Sequence, residues 1–108
     1  VSSGAAWQGQ KGQAAYAASK AGVLGLTLPV ARDLADLGIR VVAVAPGLFD
    51  TAIAQDLPEA VRSRLEAMVL NPSRMGRPAE FAMLVRQIVE NPYLNATTLS
   101  LDGGVRMV

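Results

Sequence analysis

The run Ile39-Arg40-Val41-Val42-Ala43-Val44-Ala45 constrains the fold more than any other segment. Six of its seven residues are apolar, several are β-branched, and apolar and polar positions do not alternate. A strand of that kind is covered on both faces, as strands of parallel sheets are. Pro46-Gly47 ends it. Parallel strands cannot be joined by a tight turn and need a crossover, usually a helix.

Helical patterns stand on both sides of this strand. A long helix is expected from about Gln13 to Leu37, with Leu24, Leu28, Ala31, Leu34 and Ala35 inward and Arg32, Asp33 and Asp36 outward. Pro29 removes one backbone bond from it, and Gly38 stands where a left-handed cap is wanted. A second helix begins at Pro58, with Val61, Leu65 and Met68 as its apolar stripe. A third runs from about Pro78 to Glu90, with Phe81, Leu84, Val85 and Ile88 inward, and Asn91-Pro92 stops it. Val1 to Ser3 reads as a strand end, Gly4 to Gly12 as a loop, and Thr97 to Leu101 as a last strand ended by Asp102-Gly103-Gly104. The order is strand, helix, strand, helix, helix, strand. That predicts an α/β fold with a parallel sheet, right-handed crossovers and helices on both faces. Three strands leave a wide apolar edge, which points to one portion of a larger sheet.

Composition narrows the chemistry. The 108 residues include no cysteine and no histidine. Disulfides and cysteine nucleophiles are excluded, and zinc sites and histidine-based triads lose their usual members, so no metal site is expected. Catalysis must rest on Ser, Thr, Tyr, Lys, Arg, Asp, Glu or backbone groups. Net charge is +1 and scattered, so no basic stripe suggests nucleic acid or anionic lipid. No leader and no apolar run of membrane-spanning length is visible, and the expectation is a cytoplasmic protein without membrane contact.

Within "QAAYAASKAG", Tyr16 and Lys20 stand four residues apart and therefore share one helical face. A cation beside a phenol favours the phenolate, and a phenol tuned in that way can exchange a proton with an alcohol. By itself such a pair is more often a solvated helix face than a catalytic site. The surrounding Ala14, Ala15, Ala17, Ala18, Ala21 and Gly22 permit close approach of a backbone or a flat ligand. Ser3 precedes Tyr16 by 13 residues, at the end of the first predicted strand. Two hydroxyls meeting at one carbonyl oxygen would stabilise developing alkoxide charge, although a serine at a strand end also commonly caps a turn. Pro46-Gly47-Leu48-Phe49-Asp50-Thr51 leaves the carboxyl end of the central strand, where open α/β sheets bind ligands.

Ser3, Tyr16-x-x-x-Lys20, Pro46-Gly47-x-x-x-Thr51, Arg74-x-Gly76-x-Pro78-x-Glu80 and Asp102-Gly103-Gly104 together resemble the short-chain dehydrogenase/reductase family in order and spacing. The resemblance implies that residues 1–108 are the C-terminal, catalytic and substrate-side portion of one Rossmann-like doubly wound domain. The family's glycine-rich dinucleotide loop, its cofactor-selecting residue and its catalytic asparagine belong upstream and are not in this sequence. By the same resemblance, Tyr16 is the general acid/base, Ser3 binds the substrate oxygen, and Lys20 holds the nicotinamide ribose. Pro46, Gly47, Leu48 and Thr51 line the cofactor, while Leu48, Phe49 and the helix after Pro58 border the substrate. The cofactor implied is NAD, with NADP open. The substrate implied is an acyl-CoA or other small-molecule alcohol or ketone. A homo-oligomer, tetramer or dimer, is also implied. "GQAAYAASKAG", "LPVARDLADLGIRV", "APGLF" and "ENPYLN" are similar to family members that act on 3-hydroxyacyl-CoA. Alternatives are a 3-oxoacyl carrier-protein reductase, another short-chain alcohol dehydrogenase, or a non-catalytic assembly module. Without its dinucleotide half, the 108-residue chain alone is expected to be inactive.

Overall fold

The computed structural model describes residues 1–106. Its elements are α1 (Ala5–Gln8), α2 (Ala14–Leu34), a 3-10 turn (Ala35–Leu37), β1 (Val42–Pro46), α3 (Ala52–Gln55), α4 (Glu59–Ala67), α5 (Pro78–Glu90) and β2 (Thr97–Leu101). β1 and β2 pair in parallel, Val42 opposite Thr97 through Pro46 opposite Leu101. The fold is α/β, as the unalternating run of Val42 to Ala45 requires. Ala43, Val44 and Ala45 are buried, so β1 is covered on both faces. Burying a residue such as Val44 contributes about 1.5–3 kcal/mol relative to leaving it exposed.

Two strands pair where three were expected. Val1 to Ser3 forms no strand; a single bond joins it to the sheet, Ser2 N donating to Val44 O at 2.7 Å. At Gly4 the backbone turns helical (φ −55°, ψ −24°) into α1, so no second ladder bond forms. The Gly4 to Gly12 segment, expected as loop throughout, therefore contains one helical turn.

Helix α2 begins at Ala14 and passes through Pro29 before tightening into the 3-10 turn. Gly38 then adopts the left-handed conformation (φ 72°) that a side chain would strain, and its N–H donates to Ala35 O. The buried stripe is rotated from the expected one. Thr27 and Ala31 are buried, Lys20, Val23, Leu24, Val30 and Leu34 are half-buried, and Leu28 and Ala35 are exposed. Thr27 tolerates burial because its hydroxyl donates to Val23 O one turn back, at 2.8 Å.

Strand β1 starts three residues later than expected because Arg40 has another task. Its guanidinium donates to the carbonyls of Ile88 (2.8 Å), Leu94 (2.9 Å) and Val89 (3.1 Å). It thereby satisfies carbonyls at the C-terminal end of α5 that the helix leaves open. Among the described residues, no helix is long and apolar enough to cross a membrane.

Candidate functional site

The carboxyl end of β1, the first turn of α2 and the segment leading into α1 converge on one cleft of about 250 Å³. Ser3, Tyr16, Pro46, Gly47 and Leu48 line it. Residues far apart in sequence meet there because of two bonds made by Ser2, which is 2% exposed. Its N–H reaches Val44 of β1, and its hydroxyl donates to the Lys20 carbonyl of α2 at 2.7 Å. Sheet and helix are thus joined through the residue next to Ser3.

Ser3 Oγ accepts from Ala5 N at 3.2 Å, which leaves its own O–H to donate elsewhere. Tyr16 is half exposed, in the first turn of α2. The Lys20 ammonium sits 5.7 Å from the centre of the Tyr16 ring and donates to Val1 O at 3.3 Å. A cation at that range is attracted to the ring and stands within electrostatic reach of the phenol edge. Lys20 has three N–H donors and one carbonyl partner, so it retains capacity for a ligand's hydroxyls.

Gly47 is a position of close approach. Its N–H donates to Leu101 O at 2.9 Å, and a Cβ built there would stand 2.6 Å from Asp102 Cβ. Beyond it, loop 48–50 pairs with Gly76: Gly76 N donates to Leu48 O and Asp50 N donates to Gly76 O, each at 2.8 Å. Arg74 braces that partner segment. Its guanidinium meets Glu80 with two bonds of 2.8 and 3.0 Å, and Glu80 also accepts from Arg77 N at 2.8 Å at the start of α5. The Arg74 bond foremost, and the Arg77 amide after it, hold the Glu80 carboxyl down at about 2.

Three expected residues do not line the Ser3–Tyr16 cleft: Lys20, which stands beside the Tyr16 ring, and Phe49 and Thr51. Phe49 turns to the other side of the loop, edge-on to Phe81 with ring centres 5.9 Å apart. There it lines a second cavity of about 180 Å³ together with Arg74, Gly76 and Glu80. Thr51 is exposed and flanks the start of α3, where Gln55 N donates to its carbonyl. Leu48 lines both spaces. Leu65 on α4 and Met68 at its C-terminal cap are half-buried and line neither.

The cleft also contains residues that sequence reasoning passed over: Gln8, Gln13, Gly4, Ala5 and Val105. Gln13 is oriented by Gln10 N, which donates to its Oε1 at 3.0 Å. A glutamine-rich loop gave no signal of its own, although Gln13 could have been placed from its position one turn before Tyr16.

Residues 1–62 match the family model described as short chain dehydrogenase. Over 103 residues the chain is 57% identical to 3-hydroxyacyl-CoA dehydrogenase type-2 of Rattus norvegicus, covering 95% of this chain and 40% of that protein. It is 41% identical over 108 residues to a 3-oxoacyl-[acyl-carrier-protein] reductase of Thermotoga maritima, covering 97% of this chain and 43% of that one. The crystal structure of 3-hydroxyacyl-CoA dehydrogenase type-2 from Mycobacterium avium superposes with a TM-score of 0.96 at 43% identity, over 99% of this chain and 42% of that one. The chain therefore spans about 40% of the length of the curated relatives it matches.

Proposed function

The chain belongs to the short chain dehydrogenase family, and we propose that it is the C-terminal, proton-handling portion of a nicotinamide-dependent oxidoreductase acting on a 3-hydroxyacyl-CoA. The observation that carries this reading is the convergence of Ser3, Tyr16 and the carboxyl end of β1 on one cleft, with the Lys20 ammonium beside the Tyr16 ring. The similarity to the rat enzyme supports the substrate class.

In this reading Tyr16 passes a proton to or from the substrate oxygen as general acid/base. Ser3 donates its free O–H to the same oxygen, whose negative charge rises during reaction. Lys20 steadies the phenolate and offers its remaining donors to ribose hydroxyls, and that donor set suits a nicotinamide nucleoside. Pro46, Gly47, Leu48 and Thr51 would hold the nicotinamide side, and NAD is the form proposed. When bound, the nicotinamide supplies or accepts the hydride. Leu48 and Phe49 would border the acyl substrate, Phe49 from the second cavity. The glycine-rich dinucleotide loop lies in the portion of the relatives that this chain does not span. A homo-oligomer is part of the proposal, as is the inactivity of the 108-residue chain by itself.

The test is turnover of acetoacetyl-CoA by the full-length protein, followed through reduced nicotinamide absorbance with NADH and NADPH in parallel. Tyr16→Phe is expected to lower kcat by about 10²–10⁴-fold at unchanged thermal stability. Absence of turnover by the parent protein, or retention of it by Tyr16→Phe, sinks the reading. The similarity to the Thermotoga maritima reductase favours a second reading, in which the acyl group arrives on a carrier protein. A higher kcat/KM for acetoacetyl-carrier protein than for acetoacetyl-CoA would select it.

A further inference from the structure

Loop 47–51 is held from two sides. Gly76 pairs with its backbone, as described above. On the other side, Arg62 of α4 reaches the Asp50 side chain, with Nη2 3.0 Å from Oδ2. Arg62 is oriented before it arrives there. Its Nε donates to Glu66 Oε1 at 3.2 Å, one turn further along α4. Asp50 has less support. Its second oxygen, Oδ1, is buried and has no hydrogen-bond partner among the described residues. The Asp50 side chain as a whole stays about a third exposed (34%), so Arg62 matters chiefly by fixing where the carboxylate points.

The pair also matters for α4. Past the C-terminal end of that helix, the amides of Leu70 and Asn71 both donate to Gly103 O at 3.1 Å. Arg62 lies toward the opposite end and ties it to the loop. Asp50 therefore joins three parts: Gly76 through its amide, α4 through its carboxylate, and the Ser3–Tyr16 cleft through Leu48, two residues earlier.

We propose that Asp50 and Arg62 are positioning residues for the acyl substrate: their ion pair fixes α4 against loop 47–51 and so sets where Leu48 stands in the cleft. The proposal rests on the dehydrogenase reading above. Neither side chain lines the cleft, so their influence passes through Leu48 and the loop backbone.

The experiment uses the full-length protein with Arg62→Ala, Asp50→Asn, Arg62→Lys and the reversed pair Asp50→Arg with Arg62→Asp. KM for acetoacetyl-CoA is expected to rise roughly 3- to 10-fold in Arg62→Ala and Asp50→Asn while kcat stays within about twofold. Recovery is expected in Arg62→Lys or in the reversed pair. Amide exchange across residues 59–70 should quicken in the two single losses and slow again with recovery. Parental KM in both losses overturns the proposal, as does a change confined to melting temperature or recovery in neither rescue variant. If the parent protein turns over no acyl-CoA, the dehydrogenase reading fails on its own, and exchange still decides the pair. Parental exchange in both losses then overturns it, and quickened exchange that a rescue variant slows supports the fixing of α4.

Discussion

The Ser2 hydroxyl donates to the Lys20 main-chain carbonyl across 2.7 Å, at a sequence separation of 18 positions. The serine's own amide is bonded to β1, so one buried residue ties α2 to the sheet. Lys20 O also belongs to the α2 ladder and keeps a partner if the hydroxyl is lost. Ser2→Ala should therefore cost about 0.5–1.5 kcal/mol, the net worth of one ordinary hydrogen bond. Denaturant unfolding of the full-length protein measures it. Ser3→Ala is the counterpart, because the Ser3 hydroxyl has one weak local contact at 3.2 Å. It should leave stability within about 0.5 kcal/mol and lower kcat by roughly 10²–10³-fold. Equal stability losses in the two variants would contradict the division of labour drawn between these neighbours.

Much of this arrangement is legible in the sequence, and the places where it is not have physical causes. Helix α5 and strand β2 lie where Pro78, Asn91-Pro92 and the Thr97 to Leu101 run put them. Local signals suffice there, since a first-turn proline, a stop signal and a β-branched run each act over a few residues. Helix α2 is different. Leucines at 24, 26 and 28 surround it with apolar side chains, so periodicity alone cannot choose its buried face. The sheet chooses instead, burying Thr27 and leaving Leu28 exposed. Arg40 looked like a lone interruption in an apolar strand, and its purpose depends on carbonyls 48 to 54 residues away. In the site, the four-residue spacing put Tyr16 and Lys20 on one face. Nothing local showed that the loop after Gly47 splits its side chains, sending Leu48 into the cleft and Phe49 toward Phe81.

The Arg40 bonds lead to a prediction at the far end of the sheet. Three carbonyls from α5 and the turn before β2 share one guanidinium. Arg40→Ala should destabilise the protein by about 1.5–3 kcal/mol, the range for bonds to a charged donor. Arg40→Lys should recover little of this, because a single ammonium cannot reproduce the planar fork that serves carbonyls on two segments. Denaturation midpoints of the two variants decide the point, and full recovery by lysine would refute the bridging role.

Gly47 and Gly25 make a matched pair for testing close approach. A Cβ at Gly47 would stand 2.6 Å from Asp102 Cβ and 2.9 Å from its Cα, and backbone cannot swing aside as a flexible side-chain end can. Gly47→Ala should cost about 1–3 kcal/mol. Turnover should also fall, because Gly47 and Leu48 move away from Tyr16. At Gly25 an added Cβ meets nothing within 4 Å, in the middle of a helix. Gly25→Ala should raise stability by up to about 1 kcal/mol through helix propensity. Thermal melts and kcat/KM of both variants provide the check, and a neutral Gly47→Ala would show that β1 and the β2 turn separate easily.

Glu80 supplies the pH prediction. Its carboxyl is held down from 4.5 to about 2, chiefly by the Arg74 guanidinium and next by the Arg77 amide. The unfolded chain therefore takes up this proton at a higher pH than the folded one. A group with a depressed folded value stabilises the fold above its unfolded value and loses that contribution as pH falls through the folded one. The brace should be fully present above about pH 4.5 and should weaken progressively toward pH 2. Glu80→Gln cannot take part in this titration. Melting temperatures of parent and variant should differ most at neutral pH and converge as the buffer is taken from pH 4.5 toward 2. Arg74→Met should reduce the same slope, since it removes the larger cause while leaving the Arg77 amide in place. Parallel melting curves for parent and Glu80→Gln across that window would mean that the Arg74–Glu80 contact does not hold loop 74–77 in solution.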